Sequence, residues 1–304
     1  MRARDLFIVF VSFAGIGLGV LAPDQGGLVT PFSAYALMAL LFLSFLGIDF
    51  RSLLRLQRAG LVEVAFWTAA KLVLMPLAFW ALARWLAPAW ALPVLLVSGT
   101  SIGFLAPFFA SFLGAATTRV LLVVVATSLL VPLTLPALVK IILGQELTIP
   151  FSHMARLLGM IIFLPLAVLV LARRIAPGLL AALARRAYPL NAAFIFICNL
   201  GVFAQYSAFL RSQGRQILIA LGLACALALL SPVLGWAGAA LSGRRLDALT
   251  GAICLTFINN MLVIVFAAEF FGPQAALLAA AHVPPFFAMI LPLRWARDRL
   301  KSPA

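Results

Sequence analysis

Long apolar runs, separated by short polar, basic or glycine- and proline-bearing links, fill the chain from end to end. A helix that spans a bilayer needs about 20 largely apolar residues. Ten such segments can be drawn, at roughly 6–22, 31–50, 61–84, 91–113, 117–143, 154–173, 189–209, 215–241, 248–270 and 274–293. The links are short, and no polar stretch large enough for a soluble domain lies between the segments. Residues 1–22, with Arg2 and Arg4 ahead of an apolar stretch, have the outline of a signal peptide. No convincing small-residue cleavage site follows, so they read as the first span.

Composition sharpens this picture. Of 304 residues, 65% are hydrophobic and 10% charged, against roughly 25% charged in soluble domains. A net charge of +14 raises the question of a nucleic-acid partner, but the charges sit in the links, as at a membrane surface. With the N-terminus inside, sixteen basic residues fall on the cytoplasmic side: Arg2, Arg4, Arg51, Arg55, Arg58, Arg119, Arg173, Arg174, Arg185, Arg186, Arg244, Arg245, Arg294, Arg297, Arg299 and Lys301. Five fall outside: Arg84, Lys140, Arg156, Arg211 and Arg215. The positive-inside rule then predicts a cell inner-membrane protein with both termini cytoplasmic, partnered by membrane lipid and not by nucleic acid. Cys198, Cys225 and Cys254 lie in apolar runs without a Cys-x-x-Cys spacing, and His153 and His282 are far apart, so no disulfide, metal or cofactor is expected. No paired aspartates, Ser–His pair or ligand cluster inside the membrane suggests catalysis, and the chain is not expected to be an enzyme.

Landmarks recur in the two halves. Pro76 precedes Trp80 by four residues in segment 3, and Pro232 precedes Trp236 likewise in segment 8. Segments 4 and 9 end in Phe112-Leu113-Gly114 and Phe270-Phe271-Gly272. Segments 5 and 10 end in Leu135-Pro136 before Lys140 and Leu291-Pro292 before Arg294. Five helices per half is an odd number, so the halves run in opposite directions across the membrane. The expected fold is an all-α polytopic membrane protein of ten transmembrane helices in two inverted five-helix repeats, residues 1–145 and 150–304, an arrangement suited to alternating access.

Segment 4 carries Ser98, Gly99, Thr100, Ser101 and Gly103, then Pro107, poor material for a continuous helix. Its counterpart in segment 9 is Thr256-Phe257-Ile258-Asn259-Asn260. Broken helices inside a membrane are tolerated where they line a cavity or face protein; small and hydroxyl residues also serve helix packing. Adjacent carboxamides cannot share one packing face, which favours a binding role for Asn259 and Asn260. Lys71 stands mid-segment, where a lysine costs roughly 2.5–3.5 kcal/mol on insertion scales. Each helix end is roughly 15 Å away at 1.5 Å per residue, beyond comfortable snorkelling. Glu63, two turns off, is expected near the membrane interface and unpaired with Lys71. Thr127 and Ser128 are read as bonding their own helix backbone or contributing to the site. His282, before Pro284 and Pro285, is a candidate proton carrier or a structural histidine, and Asn199 a candidate for a cavity wall. The candidate substrate and ion-binding set is therefore Lys71, Gly99, Thr100, Ser101, Gly103, Pro107, Thr127, Ser128, Thr256, Asn259, Asn260 and His282.

The chain resembles the bile acid:sodium symporter family, which includes relatives for other organic anions and for arsenite. The resemblance rests on Ser44-Phe45-Leu46-Gly47-Ile48-Asp49-Phe50 before a basic loop, Leu74-Met75-Pro76, Gly99-Thr100, Pro132-Leu133-Thr134-Leu135-Pro136, Asn259-Asn260 and the stretch from Ala279 to Pro284. It implies a core domain of helices at about 61–143 and 215–293, a panel domain of helices at about 6–50 and 154–209, and helices 4 and 9 broken and crossing near the midplane. Sodium-coupled members place a glutamate shortly before the paired amides; here the stretch is Cys254-Leu255-Thr256-Phe257-Ile258. Where they carry Ser-Asn at the helix 4 break, Ile102-Gly103 stands. Their helix 3 glutamine falls at or near Lys71. Losing an anionic ligand and gaining a fixed cation both disfavour sodium. The expectation is a carrier of a small organic anion that is independent of sodium, with Lys71 as a tethered replacement cation and with a proton, or no ion, coupled. A sodium-coupled anion symporter, an arsenite efflux carrier, and a non-transporting receptor or scaffold stay open as alternatives.

Overall fold

A computed structural model of the chain describes residues 3–46, 58–144, 149–242 and 246–301. The 47–50 part of the first family motif, and Arg2, Arg51, Arg55, Arg244 and Arg245 of the expected cytoplasmic links, lie outside the described residues. The helices are α1 (Ala3–Leu21), α2 (Ser33–Leu46), α3 (Arg58–Ala69), α4 (Met75–Leu86), α5 (Ala91–Gly99), α6 (Ala106–Leu113), α7 (Thr117–Leu143), α8 (Phe151–Ile175), α9 (Ala187–Gln205), α10 (Gly214–Leu241), α11 (Ala248–Thr256), α12 (Asn260–Phe270), α13 (Pro273–Ala281), α14 (Val283–Ala288) and α15 (Ile290–Lys301). Among the described residues six stretches are long and apolar enough to cross a bilayer: Gly60–Leu86, Thr117–Leu143, Phe151–Ile175, Ala187–Gln205, Gly214–Leu241 and Pro273–Asp298. Shorter apolar helices, Phe10–Leu21, Thr30–Leu46, Pro88–Gly99 and Asn260–Phe270, overlap the other expected segments. Large apolar side chains such as Trp85, Ile141 and Leu218 are more than 70% exposed. In water such a surface would aggregate; in lipid it is the solvated face. The chain is thus an all-α, multi-pass membrane protein.

Contacts divide the helices into two groups. In the first, α1 and α2 pack on α9, and α2 also packs on α8. Asn199 of α9 ties α1 by donating through Nδ2 to the carbonyl and hydroxyl of Ser12 at 3.2 and 2.8 Å. The expectation that Asn199 lines a cavity is corrected: its amide nitrogen is used up between two helices. In the second group α10 packs on α11 and α13, α5 on α4 and α13, α12 on α13, and α3 on α7. The groups meet where α9 and α2 touch α12, and where α8 packs on α7.

Two of the expected straight helices are irregular. Between α3 and α4 the residues Ala70–Leu74 form a π turn closed by the Met75 N–H on the Ala70 carbonyl. Pro76 has no N–H to give Leu72, and widening the preceding turn is one way to absorb that. Segment 10 is divided at His282 and Met289 into α13, α14 and α15, with the adjacent Pro284 and Pro285 removing two donors. Gly114 after α6 is left-handed (φ 73°, ψ 27°), and Gly272 after α12 has φ 78° with ψ −169°; a side chain would be strained at either positive φ.

Glu63 is buried, only 3% exposed. Its carboxylate is ion-paired with Arg119 at the start of α7 and accepts from the Trp67 indole at 3.3 Å and the Asp247 backbone N–H at 3.0 Å. Asp247 in turn caps α11, accepting from the N–H groups of Leu249 and Thr250. One carboxylate therefore joins the starts of α3, α7 and α11, and burial is tolerated because all its partners are donors. Glu63→Gln is expected to lower stability by about 1–2 kcal/mol, less than for a wholly buried pair because the Arg119 side chain is 41% exposed. Thermal unfolding in detergent checks this; an unchanged midpoint would mean the clasp carries no load.

Candidate functional site

The two interrupted helices meet. After α5, Thr100 is extended (φ −70°, ψ 165°); after α11, Phe257 is extended (φ −90°, ψ 95°). The exposed segments form a single antiparallel bridge between Ile102 and Ile258. The Gly103 N–H donates to the Phe257 carbonyl at 2.8 Å, and the Asn259 N–H to the Ser101 carbonyl at 2.9 Å. The Ile102 N–H donates to the Thr127 hydroxyl oxygen at 3.2 Å, which itself donates to the Val124 carbonyl at 3.1 Å. Thr127 thus bonds its own helix, as one reading had it, and also steadies the break. Backbone groups that a broken helix strands in the membrane are here satisfied by the other break and by α7. Gly103 permits the approach: a Cβ there would stand 2.6 Å from the Ile258 carbonyl oxygen.

Lys71 is wholly buried and its ammonium donates to the Ser98 carbonyl. That carbonyl belongs to the last turn of α5, where unpaired acceptors and the negative end of the helix dipole collect. The Ser98 hydroxyl turns back to the Val94 carbonyl at 2.6 Å. Among the described residues no carboxylate comes within ion-pairing distance of Lys71.

A cavity of about 290 Å³ lies between the first helix group and the crossing. Its walls are Ser12, Leu37, Leu40, Leu41, Ser44, Asn191 and Ile195 on one side, and residues 103–105 and 258–261 with Val283, Phe286 and Phe287 on the other. None of these side chains is charged. Of the expected site residues, Gly103, Asn259 and Asn260 line this cavity, while Lys71 stands at the helix end beyond it and does not. Thr100, Ser101, Ser128 and Thr256 are buried with hydroxyls lacking a partner among the described residues. For Ser128 this corrects the expectation of a bond to its own helix. Gly99 packs on Pro76 and Leu135, and Pro107 begins α6. His282 is buried and reaches the cavity only through Asn260, its Nδ1 lying 3.2 Å from the Asn260 Oδ1. Sequence reasoning missed Ser12, Ser44, Asn191, Phe286 and Phe287. A polar residue inside an apolar run marked the first three; nothing marked the phenylalanines.

These features define a class: a multi-pass helical membrane protein in which two interrupted helices cross beside an uncharged, largely apolar cavity. The sequence matches no protein-family model and no curated protein.

Proposed function

We propose that this protein is a secondary transporter of a small organic anion, working by alternating access and related to the bile acid:sodium symporters. On this reading the ten helices form two inverted five-helix repeats, 1–145 and 150–304, with a core at about 61–143 and 215–293 and a panel at about 6–50 and 154–209. The protein sits in the cell inner membrane with both termini cytoplasmic.

The carrying observation is the symmetry of the crossing. Ile258 follows Ile102 by 156 positions, as Pro232 follows Pro76 and Pro292 follows Pro136. Shifting both ends of the Gly103-to-Phe257 bond by the same 156 gives Asn259 to Ser101, which is the other bond present. Any antiparallel bridge carries such a pair of bonds; what points to inverted repeats, which place a two-fold axis at the binding site, is that the bridged residues stand the same 156 positions apart as the paired prolines. Gly114 and Gly272, both of positive φ, stand two positions off the same spacing.

The cavity meets the N-terminus of α12, the positive end of a helix dipole, and the carboxamides of Asn191, Asn259 and Asn260. Lys71 supplies a cation at the opposite kind of end, the C-terminus of α5, where a dissolved metal ion would otherwise be attracted. With the cation covalently attached, sodium has no vacancy to fill, and the coupled ion is a proton or none. Reconstituted proteoliposomes loaded against radiolabelled acetate, pyruvate and phenylacetate test the reading. Saturable uptake of at least one anion, unchanged when sodium is replaced by choline, is expected. A requirement for a sodium gradient would refute the coupling, and no uptake of any anion would favour a receptor.

A further inference from the structure

Of the three carboxamides on the cavity wall, those of Asn259 and Asn260 are held with the oxygen turned to a partner in the protein. Asn259 Oδ1 accepts the Leu262 N–H at 3.2 Å as the cap of α12. Its Nδ2 is left buried with no partner among the described residues, in a side chain only 8% exposed. Asn260 Oδ1 faces His282 Nδ1 at 3.2 Å. A carboxamide oxygen only accepts, so Nδ1 carries the hydrogen and donates. The Asn260 oxygen is thereby held against α14, and its NH2 group makes no hydrogen bond among the described residues. On the opposite wall Ser12 accepts from Asn199, Ser44 donates to the Leu40 carbonyl, and Asn191 Oδ1 is an acceptor without a partner among the described residues.

We propose that the cavity seats one carboxylate, carried on an apolar body, upon the amide hydrogens of Asn259 and Asn260, and that His282 is the positioning residue that keeps Asn260 turned donor-first. This rests on the anion-transporter reading and adds what that reading leaves open: one charge, not two, and recognition by neutral donors. The amide hydrogens and the α12 N-terminus suit a single carboxylate. A second carboxylate would meet a wall made mainly of Leu37, Leu40, Leu41 and Ile195, with no charged group among them, and would be poorly compensated for its desolvation. At Asn259 and Asn260 an ammonium would meet hydrogens where it needs lone pairs. Without the histidine N–H the Asn260 amide can rotate and offer its oxygen, and a neutral amide ligand then binds as well as a carboxylate.

The experiment is calorimetric binding to the full-length protein in nanodiscs, with phenylacetate, phenylacetamide, phenethylamine and phenylmalonate as probes. The wild type should bind phenylacetate at least about tenfold more tightly than each of the others, the amount one charge-assisted hydrogen bond provides. In His282→Phe the preference for phenylacetate over phenylacetamide should collapse toward unity. In His282→Asn, whose amide nitrogen stands in for Nδ1, the preference should persist. A His282→Phe protein that keeps the wild-type ratio overturns the positioning role; if that variant does not fold, loss of the ratio in His282→Asn overturns it instead. Wild-type binding of phenethylamine or phenylmalonate as tight as that of phenylacetate, or no binding of phenylacetate, overturns the single-carboxylate site. Those results leave the transporter reading to the uptake assay, which fails separately.

Discussion

Lys71→Gln is expected to reduce sodium-independent uptake by at least about twentyfold while leaving the fold intact. For a monoanion seated about 10 Å from it, a unit charge at an effective dielectric of about 20 contributes about 1.7 kcal/mol, which is roughly twentyfold in affinity. Losing the bond to the Ser98 carbonyl costs about 1.5–3 kcal/mol, but removing a wholly buried charge relieves a desolvation penalty of several kcal/mol. The two terms oppose each other, so the thermal midpoint should stay near the wild-type value while transport falls. Uptake in proteoliposomes, read beside thermal unfolding of the same preparation, separates the two. Full uptake by the variant would sink the tethered-cation idea.

The second large effect is at Gly103. A Cβ there would lie 2.6 Å from the Ile258 carbonyl oxygen and 3.1 Å from its carbon, so backbone itself would have to move. Gly103→Val should therefore part the crossing and forfeit the bonds to Phe257 and from Asn259, a loss of about 3 kcal/mol or more. Gly99→Ala is the control. Its Cβ would meet the Leu135 side-chain tip at 3.0 Å, which can swing aside, so a change below about 1 kcal/mol is expected. Thermal unfolding and fluorescence-detected size exclusion of the two variants make the comparison; equal behaviour would mean the close approach is not what makes Gly103 matter.

Much of this was legible in the chain, because lipid imposes a simple rule on it. Uninterrupted apolar runs gave the helices, and 117–143 coincides with α7 to the residue. Clustered glycine, hydroxyl and amide residues marked both breaks. The π turn at Ala70–Leu74 left no compositional mark beyond Pro76, since its residues are ordinary helix formers. The partners of Glu63, Arg119 and Asp247, lie 56 and 184 positions away, a distance that local patterning does not span, so the sequence did not show what the carboxylate pairs with. The role of His282 was hidden for the same reason: Asn260 is 22 positions off, and only folding reveals which atom the ring meets. Lys71 stood out by its expense in the membrane, yet its pairing with a carbonyl and not with the cavity needed the fold.

A lysine anchored to the chain has an electrical consequence. In the proposed carrier a dissolved ion would be delivered along with its cargo, whereas an ammonium that keeps its proton would go back with the protein at the end of every turnover. With no proton coupled, the charge that crosses the bilayer would then be the passenger's own. For a monoanion leaving a cell with a negative interior, each 100 mV contributes about 2.3 kcal/mol toward exit, so the membrane voltage itself would push the carrier toward export.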